Sequence, residues 1–444
     1  MKNSILLITF ISLFFSIASS SKEQLSASER NITNQVKQDL IFAVDSLETA
    51  VNLNSGTMNF EGIKKVADHF QRELKDIGFL TDWLDGFSFN RAGHLVASYG
   101  NNLNNLNILL IGHLDTVFAK GDTFQKFVRV DQKHVAGPGI TDMKGGDVIM
   151  IAALRTLKKL NLLDDVNIKI VMTGDEESSG RPLSDSKKAI IDAAKWADIA
   201  LGFEDGDGDI NTAVISRRGA SSWQLEVSGK PAHSSQIFRD DIGYGAIYET
   251  ARILNQFRES LSSQKHLTFN PGLIVGGTRI EHQQKSYSAT TFGKNNVIAK
   301  DVKVTGDIRA LSPLQLSNAK LKMQQIVAES LSHTNAKITF STGYPPMAPT
   351  KGNKALLTLY SQISQDLGYN EVTAVNPSRA GAADISFAAG HVAMAIDGLG
   401  LMGTGGHTKD EVANIRSLEM NINKAAILIH RLSREKGHTT IVTE

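Results

Sequence analysis

Cysteine is absent from all 444 residues. That one absence excludes disulfide bonds, thiolate metal ligands, a cysteine nucleophile and a lipidated cysteine. An excess of either charge is missing too. Lys and Arg number 47 against 46 Asp and Glu, for a formal net charge of +1, and no long block of like charge occurs. Nothing therefore points to a nucleic-acid partner or an anionic membrane surface. Past the first twenty residues, no apolar run approaches the roughly eighteen needed for a membrane span, so no membrane association is expected of the mature chain. No internal repeat or low-complexity segment is evident. No Gly-X-Gly-X-X-Gly follows the first apolar run, which argues against a nicotinamide-dependent dehydrogenase.

What is present begins with Lys2 ahead of an apolar run over residues 5–18, closed by the small residues Ala18-Ser19-Ser20. This pattern predicts a signal peptide over residues 1–20 and an exported, periplasmic or secreted, protein. Residues 21–34 are polar and are expected to be loose. Helical spacing follows over 34–52 and 60–77, with Gly78 as a stop. Four short aliphatic runs then end on glycine or acidic residues: 107–111 before Gly112-His113, 166–172 before Thr173-Gly174, 199–201 before Gly202, and 392–396 before Asp397-Gly398. Helical stretches such as 146–160 and 186–196 separate the earlier ones. Such alternation predicts a mostly parallel, helix-covered sheet.

The middle of the chain follows another rule. Residues 221–227 alternate with period two, and a helix is expected over 243–260. Strand-like runs come at 272–278 and 296–309, a helix at 314–332 and a strand at 336–341. The order β-α-β-β-α-β is that of a ferredoxin-like unit. The expected fold is therefore α/β, with a catalytic domain over 21–217 and 341–444 interrupted by an α+β domain over 218–340.

The residues suited to chemistry sit just after the apolar runs. In open α/β sheets ligands bind beyond the carboxyl ends of the strands. His113, in Gly112-His113-Leu114-Asp115-Thr116, ends the first run; Asp115 two positions on suits a carboxylate that orients a metal-bound imidazole. Asp142 lies in Gly137-Pro138-Gly139-Ile140-Thr141-Asp142-Met143-Lys144-Gly145-Gly146, where glycines permit close approach and unusual dihedrals. A single carboxylate placed there can bridge two cations. Asp175-Glu176-Glu177 puts three acids together at a strand end, an arrangement that repels itself unless cations neutralise it. Glu177 suits a ligand and its neighbour Glu176 a general base. Phe203-Glu204-Asp205 and Gly405-Gly406-His407-Thr408 add two further donors, neither distinctive alone.

Taken in order, these segments resemble the M20 family of metallopeptidases, the group of glutamate carboxypeptidases, aminoacylases and succinyl-diaminopimelate desuccinylases. The resemblance runs over about residues 40–435 and matches at His113, Asp115, Asp142, Glu176, Glu177, Glu204 and His407. It implies two zinc ions per subunit bridged by Asp142 and a water or hydroxide that attacks a peptide or amide bond. His113 and Glu204 would hold one ion, Glu177 and His407 the other. It also implies a cis bond after Asp142. In the middle unit, Ser228-Gly229-Lys230-Pro231-Ala232-His233-Ser234-Ser235 resembles the family's lid segment, whose histidine helps stabilise an oxyanion, in many members that of a neighbouring subunit. Asn296 and Arg309 match positions that face substrate, although Arg309 equally suits a salt bridge within the sheet. A homodimer through the inserted domain is implied.

The resemblance leaves the substrate open between a peptide, cleaved by a carboxypeptidase-type exopeptidase, and an N-acyl amino acid. Glutamate-releasing relatives tend to carry an arginine where the chain re-enters the catalytic domain. Here Ser341-Thr342-Gly343-Tyr344-Pro345-Pro346-Met347 has none. Arg309, or Arg379 in Pro377-Ser378-Arg379-Ala380-Gly381-Ala382-Ala383-Asp384, is left to clamp a carboxylate. The alternative role for Arg379 is pairing with Asp384.

Overall fold

The computed structural model describes residues 25–283 and 288–434; the expected signal peptide lies outside the described residues. Six strands form the central sheet in the spatial order Leu80–Asp85, Gly93–Tyr99, Val166–Thr173, Leu106–His113, Ile199–Gly202 and Met394–Ile396. The last four run parallel, and the first two add an antiparallel edge. Side chains alternate across this sheet between two cores. Ile108 and Leu110 enter the larger one with the helices Ala27–Val51, Gly145–Lys159, Lys351–Asp366 and Arg416–Arg434. Leu109 and Ile111 enter the other, with Ile190, Ala193, Ile385 and Phe387. Both faces are covered, which is why the strands read as unbroken apolar runs rather than alternating ones. Each of these leucine, isoleucine and phenylalanine side chains contributes about 1.5–3 kcal/mol on burial.

The N-terminal segment departs from expectation. Residues expected to be loose up to 34 are helical from Ala27. Ser26 caps this helix, its hydroxyl accepting from the Glu29 N–H at 3.2 Å while the Glu29 carboxylate accepts from the Ser26 N–H at 2.6 Å. Ser-x-x-Glu is a legible helix start. Here it outweighs the polar composition, and Arg431 reaches Glu29 at 2.6 Å from the last helix.

A second sheet orders its strands Thr268–Gly277, Asp301–Ala310, Gly219–Gly229 and Thr334–Phe340, all neighbours antiparallel. The helices Gly245–Leu261 and Pro313–Ala328 cover one face around Trp223, Leu225, Val227, Ile253, Phe257 and Met323, a core separate from the other two. The β-α-β-β-α-β order holds with one addition, a hairpin of Arg279–Gln283 with Ser288–Phe292. The strand expected from 296 begins only at Asp301, so Asn296 lies in the connection after the hairpin. Where the chain leaves and re-enters the central unit, Arg217 pairs with Met347 and Ala220 with Tyr344. Among the described residues no helix is long and apolar enough to cross a membrane.

Candidate metal centre

Parallel strands bring their carboxyl ends to one edge. The strand Leu106–His113 finishes on His113; Glu176 and Glu177 follow Val166–Thr173, Glu204 follows Ile199–Gly202, and Asp397 follows Met394–Ile396. Asp142 comes from the turn ahead of the Gly145–Lys159 helix, and His407 from the loop after Gly403–Thr404. Two groups of donors result: His113 with Asp142 and Glu204, and Asp142 with Glu177 and His407. Within each, the donor atoms lie within 4.8 Å of one another. Asp142 belongs to both. Its Oδ1 is 3.0 Å from His113 Nε2 and its Oδ2 is 2.9 Å from His407 Nε2. Glu204 Oε1 lies 3.6 Å from His113 Nε2, and Glu177 Oε2 lies 3.1 Å from His407 Nε2. The Asp142–Met143 peptide is cis. His407 has φ of 64°, uncommon outside glycine, so an unusual turn aims its ring.

Buried groups hold this arrangement from behind. Asp115 is fully buried, and its two carboxylate oxygens accept from the N–H groups of Glu176 and Glu177 at 3.0 and 3.2 Å and from the Thr57 hydroxyl at 2.6 Å. His113 Nδ1 meets the Asp115 carbonyl at 3.0 Å and its carboxylate only at 3.5 Å. The main chain of Asp115 thus orients the imidazole, while its side chain fixes the Glu176-Glu177 loop. Glu411 does the same for Asp142: buried, it accepts from the N–H groups of Gly139, Thr141 and Asp142 at 2.9, 2.9 and 3.3 Å. Asp397, paired with buried Arg217 at 2.8 Å, accepts from the Glu204 N–H at 3.3 Å. Gly146 is needed for closeness, since a Cβ there would stand 1.8 Å from the Phe203 carbonyl oxygen. Asp175, the first acid of its triplet, turns away to a buried ion pair with Lys187 at 2.9 Å.

The charges are mutually strained. Burial pushes the Glu176, Glu204 and Glu177 carboxyls up, and neighbouring carboxylates push them further. Burial acts against the His113 cation as well, yet Glu204, Asp115 and Asp142 raise it well above the ordinary histidine value. Hydrogen bonds to Asp142 and Glu177 lift His407 to about 11. Glu177 Oε1 is buried and has no hydrogen-bond partner among the described residues. Orphaned and crowded carboxylate oxygens beside two imidazoles are what a pair of divalent cations satisfies, and a mixed His and carboxylate donor set suits zinc.

The expected substrate-facing residues lie apart. Among the described residues, no hydrogen bond or ion pair joins His233, Asn296 or Arg309 to the donor cluster. His233 is exposed and its Nδ1 sits 2.8 Å from the Ser235 hydroxyl. The Asn296 carbonyl accepts from the Ser234 N–H at 3.0 Å, which places these two segments side by side. Arg309 pairs with Asp307 at 3.0 Å, the within-sheet bridge. Arg379 pairs with Asp207 at 3.1 Å and not with Asp384, because Lys187 holds Asp384 at 2.9 Å. Asp397 had the same strand-end placement as the other donors but was not singled out; Glu411, Thr57 and Tyr344 had no local signature, since the groups they hold are remote in sequence.

The model of Peptidase family M20/M25/M40 matches residues 109–431, and the chain belongs to this family. It is 26% identical over 403 residues to Carboxypeptidase G2 of Pseudomonas sp., covering 88% of this chain and 90% of that protein. It is 23% identical to a probable succinyl-diaminopimelate desuccinylase of Staphylococcus aureus, over 63% of this chain and 72% of the relative. Among solved structures, aminopeptidase PepT from Bacillus cereus aligns with TM-score 0.67 at 18% identity, over 88% of this chain and 98% of that one. The Bacillus subtilis YXEP protein, described as a dinuclear metal binding peptidase, aligns with TM-score 0.60 at 13% identity, over 90% and 99%. The protein is therefore an enzyme, a hydrolase of the peptidase and amidohydrolase kind.

Proposed function

We propose that the chain is a di-zinc exopeptidase of carboxypeptidase type, exported and working as a homodimer through its inserted sheet. The observation that carries this is Asp142, whose two oxygens each face a different histidine within two overlapping donor groups. His113 and Glu204 would hold one zinc ion, Glu177 and His407 the other, and Asp142 both. Such a pair, when bound, polarises a carbonyl and acidifies water. Glu176 belongs to neither donor group, so its carboxylate is free to take the proton of the attacking water and return it to the leaving nitrogen. His233 supplies an N–H to the substrate's developing oxyanion, and Asn296 lies on the adjoining segment to assist. Arg309 is the better carboxylate clamp. Its bond to Asp307 joins two side chains 41% and 42% exposed, a kind of pair worth little and readily exchanged, whereas Arg379 faces Asp207, only 6% exposed.

Likeness to a desuccinylase favours one alternative, removal of an acyl group from an N-acyl amino acid on the same scaffold. A library of peptides and N-acyl amino acids, assayed on metal-stripped protein with and without restored zinc, decides between them. Release of C-terminal residues only after zinc addition is expected. Hydrolysis confined to acyl amino acids selects the alternative, and full activity of the metal-free protein defeats both.

A further inference from the structure

Glu176 is gripped at both ends of its own residue. Asp115 takes its N–H, and its carbonyl accepts from the Tyr344 hydroxyl at 3.2 Å. Tyr344 stands on the segment by which the chain returns from the inserted unit. Its own carbonyl accepts from the Ala220 N–H at 3.0 Å, at the start of the inserted sheet. The ring packs edge-on against Phe387 at 4.8 Å, so it is held independently of the hydroxyl. That hydroxyl also lies 2.8 Å from Ser179 Oγ and 3.3 Å from Asp384 Oδ1. Asp384 in turn accepts from Thr173 Oγ1 at 2.5 Å and pairs with buried Lys187 at 2.9 Å. Thr173 is the last residue of the strand that leads into Glu176. A second tie runs beside the first, from Arg181 to the Thr342 carbonyl at 2.9 Å.

We propose that Tyr344 is a positioning residue that fixes the Glu176 main chain and ties it to the crossing of the inserted unit. The base then takes its place only when the two sheets stand in this relation. The inference rests on Glu176 acting as the base. A phenol hydroxyl has one proton to give, which the Glu176 carbonyl at 3.2 Å and Asp384 Oδ1 at 3.3 Å share, leaving Ser179 to donate to its oxygen. Loss of that bond lets the carboxylate drift, and a small misplacement at a reacting centre costs up to about 100-fold in rate.

The test is Tyr344→Phe, which keeps the ring and deletes the hydroxyl, in the zinc-loaded enzyme. Expected are a fall in kcat of about 10- to 100-fold, KM within about twofold of wild type, unchanged metal content, and faster amide exchange over residues 175–180. Adding Ser179→Ala should cost little more, because both changes break one connected network. A kcat within about twofold of wild type overturns the proposal, as does a loss of kcat matched by loss of metal. Should the wild-type protein hydrolyse no peptide or acyl amino acid, the functional reading fails by itself. The exchange measurement then still decides whether Tyr344 holds the loop, and unchanged exchange rejects it.

Discussion

The central unit and the inserted unit handle polar groups in opposite ways. On the central sheet, His113 and Glu177 are nearly buried, although His407 is 58% exposed, and the loops that carry Asp142, Glu176 and Glu204 hang from buried carboxylates of Glu411, Asp115 and Asp397. On the inserted sheet, His233 and Asn296 are exposed and Arg309 half-exposed, each held by a neighbour close in sequence or on the adjoining segment. A site that must place charge within a fraction of an ångström needs rigid support. One that meets varied substrate parts tolerates adaptable side chains. The donor cluster is thus held by remote buried partners, whereas His233, Asn296 and Arg309 are held by partners within the inserted unit.

That contrast can be broken experimentally, most severely at the base. Glu176→Gln should keep both metals and lose about a thousandfold or more in kcat; turnover near wild type would remove Glu176 from the mechanism. Chelation should abolish activity and lower Tm, because metal-free carboxylates repel one another, and zinc should restore both. An unchanged melting curve would show that the cluster needs no cation.

Behind the ligands, Glu411→Gln should weaken metal affinity by about 10- to 100-fold. Direct metal titration checks this, and unaltered affinity would show that the Asp142 loop stands without Glu411. On the inserted sheet, Arg309→Ala should leave stability within about 0.5 kcal/mol while raising KM for substrates with a free carboxylate. A large loss of Tm would mean that this unit is as rigidly built as the other.

The last test concerns Lys424, on the helix behind the central sheet. Burial pushes its ammonium down to about 7, with Asp209 opposing, against an ordinary value of 10.5. Between those values the unfolded chain binds a proton that the folded chain does not, so stability rises with pH across that window. Lys424→Met should flatten the rise, and a pH series of melts in both proteins reads it directly.

Much of this was legible in the sequence where local chemistry repeats the global answer. Four aliphatic runs closed by glycine or acid mark the parallel strands, and period-two alternation at Trp223, Leu225 and Val227 marks the other sheet. The helix at Ala27 was legible too, through Ser26 and Glu29, but its polar surface masked it. The edge strand Leu80–Asp85 shows the reverse case: three of its six residues are charged or polar and it lies open to solvent, so no hydrophobic period announces it. For Arg379 the sequence offered a carboxylate clamp or pairing with Asp384; the structure pairs it with Asp207 instead, while Lys187, almost two hundred positions away, holds Asp384.

The sequence alone determined the donor types, their order, and the strand ends that bring them to one edge, because strand periodicity and glycine placement are local properties. Only the tertiary structure decided which remote groups hold them: Glu411 beneath Asp142, Asp397 beneath Glu204, and Tyr344 on the carbonyl of Glu176. Hydrogen bonds between residues scores or hundreds of positions apart leave no periodicity behind. They exist only once packing has brought the partners within reach.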